Sequence, residues 1–163
     1  MMSLCCDVLK ALEGKTLSTA ESCTGGMIGS ALTAVPGASG VYKGGIISYW
    51  SEVKENLLGV DAVLLETKGP VSEPVAKAMA EGVRRALCTD VAVSVTGLAG
   101  PDADEFGYPV GTVFVGYADA QYSVVKEFHF SGNREQVRKK AAEAALRLIL
   151  ERSMLCRSTD CKK

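Results

Sequence analysis

The sequence predicts an α/β fold, a single domain built as a three-layer α/β/α sandwich around a mixed sheet. Three observations predict it. Helix-like and strand-like segments alternate along the 163 residues, as they do when helices cover both faces of a sheet. Residues 91–95 form a near-continuous apolar run, Val-Ala-Val-Ser-Val, the pattern of a strand buried on both faces. Val75, Ala76, Met79, Ala80, Val83, Ala86 and Leu87 fall on one helical stripe, with Glu73, Lys77, Glu81, Arg84 and Arg85 mainly on the solvated side.

The elements follow in order. Leu4, Val8 and Leu12 share one face of a helix over 4–13, with Ser3 as its cap and Gly14 as its stop. Leu17–Glu21 has strand composition, and Met27–Val35 is a helix running to the Pro36-Gly37 turn. Ile46, Ile47, Tyr49 and Trp50 make 44–51 a strand. Ser51 opens a short helix through Leu58 that Gly59 ends, and Ser72 caps the amphipathic helix. After 91–95 come strands over 111–118 and 121–130, paired as a hairpin. The last helix covers 134–152 and buries Val137, Ala141, Ala144, Ala145 and Leu148, with a frayed polar tail after it. The predicted order is helix, strand, helix, strand, two helices, three strands, helix. Neither a repeat nor a linker divides the chain.

Composition excludes several classes. Eighteen Lys and Arg against 19 Asp and Glu leave a net charge of −1, far from the basic footprint of a nucleic-acid-binding protein. No apolar run reaches the roughly 18 residues of a membrane span. Asp7 and the lack of a long apolar stretch make the N-terminus a poor signal peptide, so the expected location is the cytoplasm. None of the six cysteines forms a C-x-x-C pair, and His129 is the single histidine, so no metal site is expected. The cysteines read as reduced thiols. A pairing of Cys5 or Cys6 with Cys156 or Cys161 stays open. His129 lies in a strand and reads as structural.

Two loops concentrate the chemistry, because ligands of open α/β sheets sit at the carboxyl ends of strands. AESCTGG (20–26) presents Ser22, Cys23 and Thr24 before Gly25 and Gly26 at a helix start, where a phosphate or an oxyanion could be held. VTGLAGP (95–101), with Thr96 and Gly97, is a second hydroxyl-plus-glycine turn. Neither matches a P-loop or a dinucleotide fingerprint, and each admits two readings, a structural turn or a ligand cradle. With one histidine a Ser-His-Asp triad is disfavoured, whereas a serine activated by a buried lysine is possible. Lys43 and Lys54 flank the second strand and Tyr49 lies within it, while a solvated helix lysine is the plainer reading of Lys54. Arg134, at a helix start where a cation is mildly unfavourable, serves either a ligand or a carboxylate such as Glu135. Arg138 follows one turn later.

AESCTGG, VPGASGVYKGGIISYWSEVKENLLGV, GPVSEPVAKAMAEG, VSVTGLAGP, PVGTVFVG and FSGNREQVR occur in the order found in the CinA carboxy-terminal domain family, which the chain resembles from about Thr16 to Arg152. The resemblance implies an α/β/α fold, usually homo-oligomeric as a dimer or higher, with no cofactor. It implies nicotinamide-nucleotide amidase activity: nicotinamide mononucleotide is hydrolysed to nicotinate mononucleotide and ammonia, a step of NAD salvage. Some members carry an additional N-terminal molybdopterin-binding-like domain, and the length here resembles the stand-alone form. The chain departs from the family in the loop after TGLAGP, where a Gly-rich, Lys-containing stretch is replaced by DADEFGYP with Asp102, Asp104 and Glu105. Acids over a phosphate would weaken its binding.

On this reading Ser22 is the nucleophile, Lys54 its base, Tyr49 the orienting group, and the amides of Thr24, Gly25 and Gly26 the oxyanion site. Thr96, Gly97 and Arg134 would bind the nucleotide, with Cys23, Lys43 and Arg138 as further contacts. Cys23 is a rival nucleophile. A non-catalytic nucleotide-binding or scaffold domain, linked to competence or DNA damage as the family's name suggests, is the rival class of function.

Overall fold

Five strands form one mixed sheet in the order β2-β1-β3-β4-β5. The computed structural model describes residues 1–160, with side chains through Leu155. Elements run α1 (Met2–Ala11), β1 (Leu17–Glu21), α2 (Met27–Thr33), β2 (Tyr42–Ile47), α3 (Ser51–Leu58), α4 (Ala62–Lys68), α5 (Glu73–Ala86), β3 (Val91–Gly97), β4 (Thr112–Ala118), β5 (Ser123–His129) and α6 (Arg134–Asp160). A single 3₁₀ turn, Ala38–Gly40, precedes β2. β1 pairs parallel with β2 and β3, and β4 is antiparallel to both β3 and β5.

Alternation along the strands builds the three layers. Leu17, Val91, Val93, Val95, Val113, Val115 and Tyr117 face α1, α2 and α6, which cover them with Val8, Leu12, Ile28, Leu32, Val137, Ala141 and Ile149. On the other face Ala20 and Ala92 meet Leu58, Leu65, Val75, Met79 and Val83 of α3, α4 and α5. Each such side chain taken fully out of water contributes about 1.5–3 kcal/mol. Gly82 sets how closely α5 approaches α3, because a Cβ there would collide with the Leu58 carbonyl. Gly82→Ala is expected to destabilise by about 2 kcal/mol in denaturant melts, overpacking outweighing the gain of about 1 kcal/mol in helix propensity.

The predicted order holds, with local corrections. Three helices, not two, separate β2 from β3. The additional one, α4, is capped by Asp61, whose carboxylate accepts from Val63 N at 2.8 Å. β2 ends at Ile47 rather than Ser51, so Tyr49 and Trp50 stand in the loop beyond it. Ser3 lies inside α1, not at its cap. Ser72 occupies the cap position of α5, but its hydroxyl donates back to the Gly69 carbonyl at 3.0 Å. Of the predicted α5 stripe, Ala86 is exposed, whereas Leu87 just beyond the helix is half-buried against the core. α6 continues to Asp160 where a frayed tail was expected, since no glycine or proline interrupts 134–160. Cys5, Cys6, Cys23 and Cys88 are free thiols; the pairing with Cys156 or Cys161 lies outside the described side chains. No helix among the described residues is long and apolar enough to cross a membrane.

The topology places the site. From β1 the chain moves to β2 on one side, then returns past β1 to β3 on the other. The carboxyl ends of β1 and β3 therefore border a topological switch point, where crossovers part to opposite faces and leave a crevice.

Candidate active site

Ser22 is the first residue beyond β1, held by its amide to the Val95 carbonyl at 2.9 Å. It sits on the α3 side of the sheet, one residue out of phase with Glu21, which points to α2. Lys54, one turn into α3, is 1 % exposed. Its Nζ lies 2.6 Å from the Ser48 carbonyl, 3.3 Å from the Tyr49 carbonyl and 3.2 Å from Ser22 Oγ. Burial disfavours the ammonium and lowers its pKa from 10.5 to about 8. The two carbonyls accept only. Once Lys54 is neutral its two N–H bonds go to Ser48 and Tyr49, and its lone pair faces the Ser22 hydroxyl. That is the arrangement of a general base beside a nucleophile.

The loop after Ser22 turns through Gly25 (φ +59°) and Gly26 (φ +92°), a left-handed pair that side chains would strain. Its donors are largely spoken for. Gly25 N donates to the Ser22 carbonyl, and Gly26 N to Glu21 Oε2 at 3.0 Å. Glu21 also takes Ile28 N and Gly29 N, so the start of α2 is neutralised by the chain's own carboxylate. The expectation of an open anion cradle at Gly25 and Gly26 is corrected accordingly. Among the described residues neither the Cys23 nor the Thr24 amide donates to a backbone carbonyl. Thr24 Oγ1 and Ser48 Oγ are buried there without a partner.

Tyr49 and Arg134 meet at the rim. Arg134 Nη2 donates to the Tyr49 hydroxyl at 3.0 Å, and Nη1 to the Gly100 carbonyl at 2.7 Å. This side chain joins the loop after β2 to the loop after β3. Both its partners are neutral, and no ion pair satisfies it among the described residues. Ser22, Lys54, Tyr49 and Arg134 thus gather from four elements at one end of the sheet.

Other expected contacts lie elsewhere. Lys43 is at the start of β2, and its Nζ is 3.4 Å from the Cys88 carbonyl at the amino end of β3. That is the opposite end of the sheet. Thr96 is fully buried and donates to the Pro70 carbonyl at 2.7 Å. Gly97 answers a packing demand, since a Cβ would come within 2.7 Å of Val113 and 2.8 Å of the Thr112 carbonyl. Arg138 is committed to loop carbonyls, Nε to Cys23 at 2.9 Å and Nη2 to Thr24 at 3.0 Å. His129 bonds Thr112 and Glu127 at the far sheet edge. Asp104 accepts from the Tyr108 amide at 3.1 Å, and among the described residues none of the three loop acids pairs with a cation. No cluster of three His, Cys, Asp or Glu among the described residues is placed to hold a metal. Cavities of about 340 Å³ between β5 and α6 and about 220 Å³ between α2 and β2 are lined by neither Ser22 nor Lys54.

Cys23 is 5 % exposed, and burial pushes its thiol up to about 12. It stays protonated at neutral pH and makes a poor nucleophile. Cys23→Ala is expected to keep turnover within about threefold, and iodoacetamide to leave activity intact at pH 7.5, because the reactive thiolate is absent. Rapid inactivation at Cys23, mapped by mass spectrometry, would reverse this.

The CinA C-terminal domain family model matches residues 2–153. A CinA-like protein of Gemmatimonas aurantiaca is 47% identical over 137 residues, 83% of this chain and 32% of the relative. A CinA-like protein of Geotalea daltonii is 47% identical over 144 residues, 88% of this chain and 35% of the relative. The chain thus spans about a third of the length of these curated relatives. A CinA superfamily protein of Klebsiella pneumoniae superposes with a TM-score of 0.91 at 32% identity, covering 94% of this chain and 97% of that one. A competence/damage-inducible protein of Agrobacterium tumefaciens does so at 0.89 and 32%, covering 92% and 93%.

Proposed function

The chain belongs to the CinA C-terminal domain family, and on that premise we propose that it hydrolyses the carboxamide of nicotinamide mononucleotide to nicotinate mononucleotide and ammonia. One observation carries the reading: Lys54 Nζ, buried and held by two carbonyls, is 3.2 Å from Ser22 Oγ.

The chemistry runs on these two groups. Neutral Lys54 takes the Ser22 proton as Oγ bonds to the carboxamide carbon. The resulting oxyanion is met by the Thr24 amide, which donates to no backbone carbonyl. Collapse of the intermediate breaks the C–N bond, and the Lys54 ammonium returns its proton to the departing nitrogen, which leaves as ammonia. A water then attacks the Ser22 ester, its proton passing to Lys54. Collapse returns the Lys54 proton to Ser22 Oγ, and nicotinate mononucleotide departs as the carboxylate, its own acidic proton taken up by the released ammonia.

Arg134 would bind the substrate phosphate with the N–H groups it does not spend on Tyr49 and Gly100, in the bidentate geometry guanidinium favours. Tyr49 holds that guanidinium in place and supplies a carbonyl to Lys54. Purified protein should release ammonia from nicotinamide mononucleotide, with nicotinate mononucleotide appearing in equal amount by chromatography. Thermal stabilisation by the nucleotide with no ammonia would move the assignment to a nucleotide-binding domain.

A further inference from the structure

We propose that Glu21 and Arg138 are a pair of positioning residues that hold the 22–26 loop in attacking geometry from opposite sides, a reading that rests on the amidohydrolase assignment above. Glu21 stands in the AESCTGG segment, where the mechanism gives it no task. Its carboxylate is 2 % exposed. Oε2 accepts from Gly26 N at 3.0 Å and Ile28 N at 3.1 Å; Oε1 accepts from Gly29 N at 2.9 Å and from the Thr19 hydroxyl at 3.5 Å. A buried carboxylate persists only when donors meet its lone pairs, and three of these four donors belong to the segment just after the nucleophile. The Glu21 carbonyl also accepts from Ser48 N at 2.8 Å. The same residue therefore braces the strand end whose next carbonyls hold Lys54.

Arg138 does the converse. Nε and Nη2 donate to the carbonyls of Cys23 and Thr24. An anion takes the N–H groups of Gly26 and of the first turn of α2, and a cation takes the loop's C=O groups. Among the described residues neither is in an ion pair, and neither is hydrogen-bonded to Ser22 Oγ or Lys54 Nζ. Their effect passes through the backbone.

The loop needs such clamps. Two successive glycines at positive φ give it wide conformational freedom. Between the clamps the Ser22 backbone is tied by its amide to Val95 and its carbonyl to Gly25, and its side chain by Lys54. Attack on a carboxamide tolerates little misplacement, and about 1 Å costs on the order of a hundredfold in rate.

The test uses the full chain with Glu21→Gln, Arg138→Lys and the double variant. Gln keeps the shape but turns an amide NH2 toward backbone donors; Lys keeps the charge but cannot span two carbonyls. Two readouts are taken on the folded fraction: kcat and KM for nicotinamide mononucleotide, and the rate at which a fluorophosphonate labels Ser22. The expected result is a roughly ten- to hundredfold fall in kcat and in labelling rate for each single variant, with KM within about threefold. The pH midpoint of labelling should stay in place, because the Lys54 surroundings are untouched. The double variant should lose less than the product of the two. Labelling rates within about twofold of wild type in both single variants would overturn the proposal, leaving the clamps merely structural. If Glu21→Gln does not fold, the part-buried Arg138→Lys decides alone. If wild type labels at Ser22 yet releases no ammonia, the amidohydrolase reading fails while the labelling rates still decide on the pair. Absence of both in wild type overturns both.

Discussion

Ser22→Ala is expected to lower ammonia release from nicotinamide mononucleotide by roughly 10³-fold or more, the scale seen when an enzyme loses its nucleophile. The fold should survive. Among the described residues Ser22 Oγ is hydrogen-bonded to Lys54 alone, at 3.2 Å, so the substitution removes one hydrogen bond of about 1 kcal/mol. Its backbone bonds to Val95 and Gly25 do not involve the side chain. The measurement is steady-state turnover together with a melting temperature, so that lost chemistry is separated from lost structure. Nucleotide binding should persist, because the cation assigned to the phosphate is Arg134 on another element. Turnover equal to wild type would remove Ser22 from the mechanism.

Lys54→Met should lower kcat/KM by about 10²–10⁴-fold, the usual contribution of a general base, and should also change how stability depends on pH. In wild type, kcat/KM should rise with pH until Lys54 loses its proton near 8, then level. Burial favours the neutral amine, so the folded pKa lies below the unfolded value of 10.5. Between about 8 and 10.5 the unfolded chain holds a proton that the folded one has released, and stability therefore climbs with pH across that window. The penalty is fully present below 8. At about 1.4 kcal/mol per pH unit it comes to about 3 kcal/mol. Lys54→Met lacks this slope, though it strands the Ser48 and Tyr49 carbonyls that Lys54 now satisfies. Denaturant melts at pH 7, 8.5 and 10 check both halves. Parallel stability curves for the two proteins would mean that Lys54 titrates like a solvated lysine.

Motif and periodicity reach a definite depth in this chain. The apolar run at 91–95 and the stripe on 75–83 could hardly be read otherwise, because burial on two faces or on one imposes its own spacing. The loops after β1 and β3 were visible as hydroxyl-plus-glycine turns at strand ends. Missing was α4, a seven-residue helix too short to show a period and signalled only by Asp61. Missing too was Glu21, which sat in a quoted motif but whose part depends on which face of β1 it occupies. A polar residue ahead of a glycine pair, in strand phase with Thr19, was the available sign.

Local hydrophobic period and turn chemistry set the layers, the order of every element but α4, and the two loops that border the crevice. Which side chains share the site follows from the assembled sheet. Lys43 and Lys54 both flank the second strand, yet parallel pairing of β1 with β2 sends the first, expected as a further substrate contact, to the far end of the sheet. The return of α3 sets the second against Ser22. Thr96 and Arg138 are likewise spent on carbonyls contributed by residues 26 or more than 100 positions away. Register, crossover direction and burial are properties of the assembled sheet, and they select, among chemically similar residues, the few that meet.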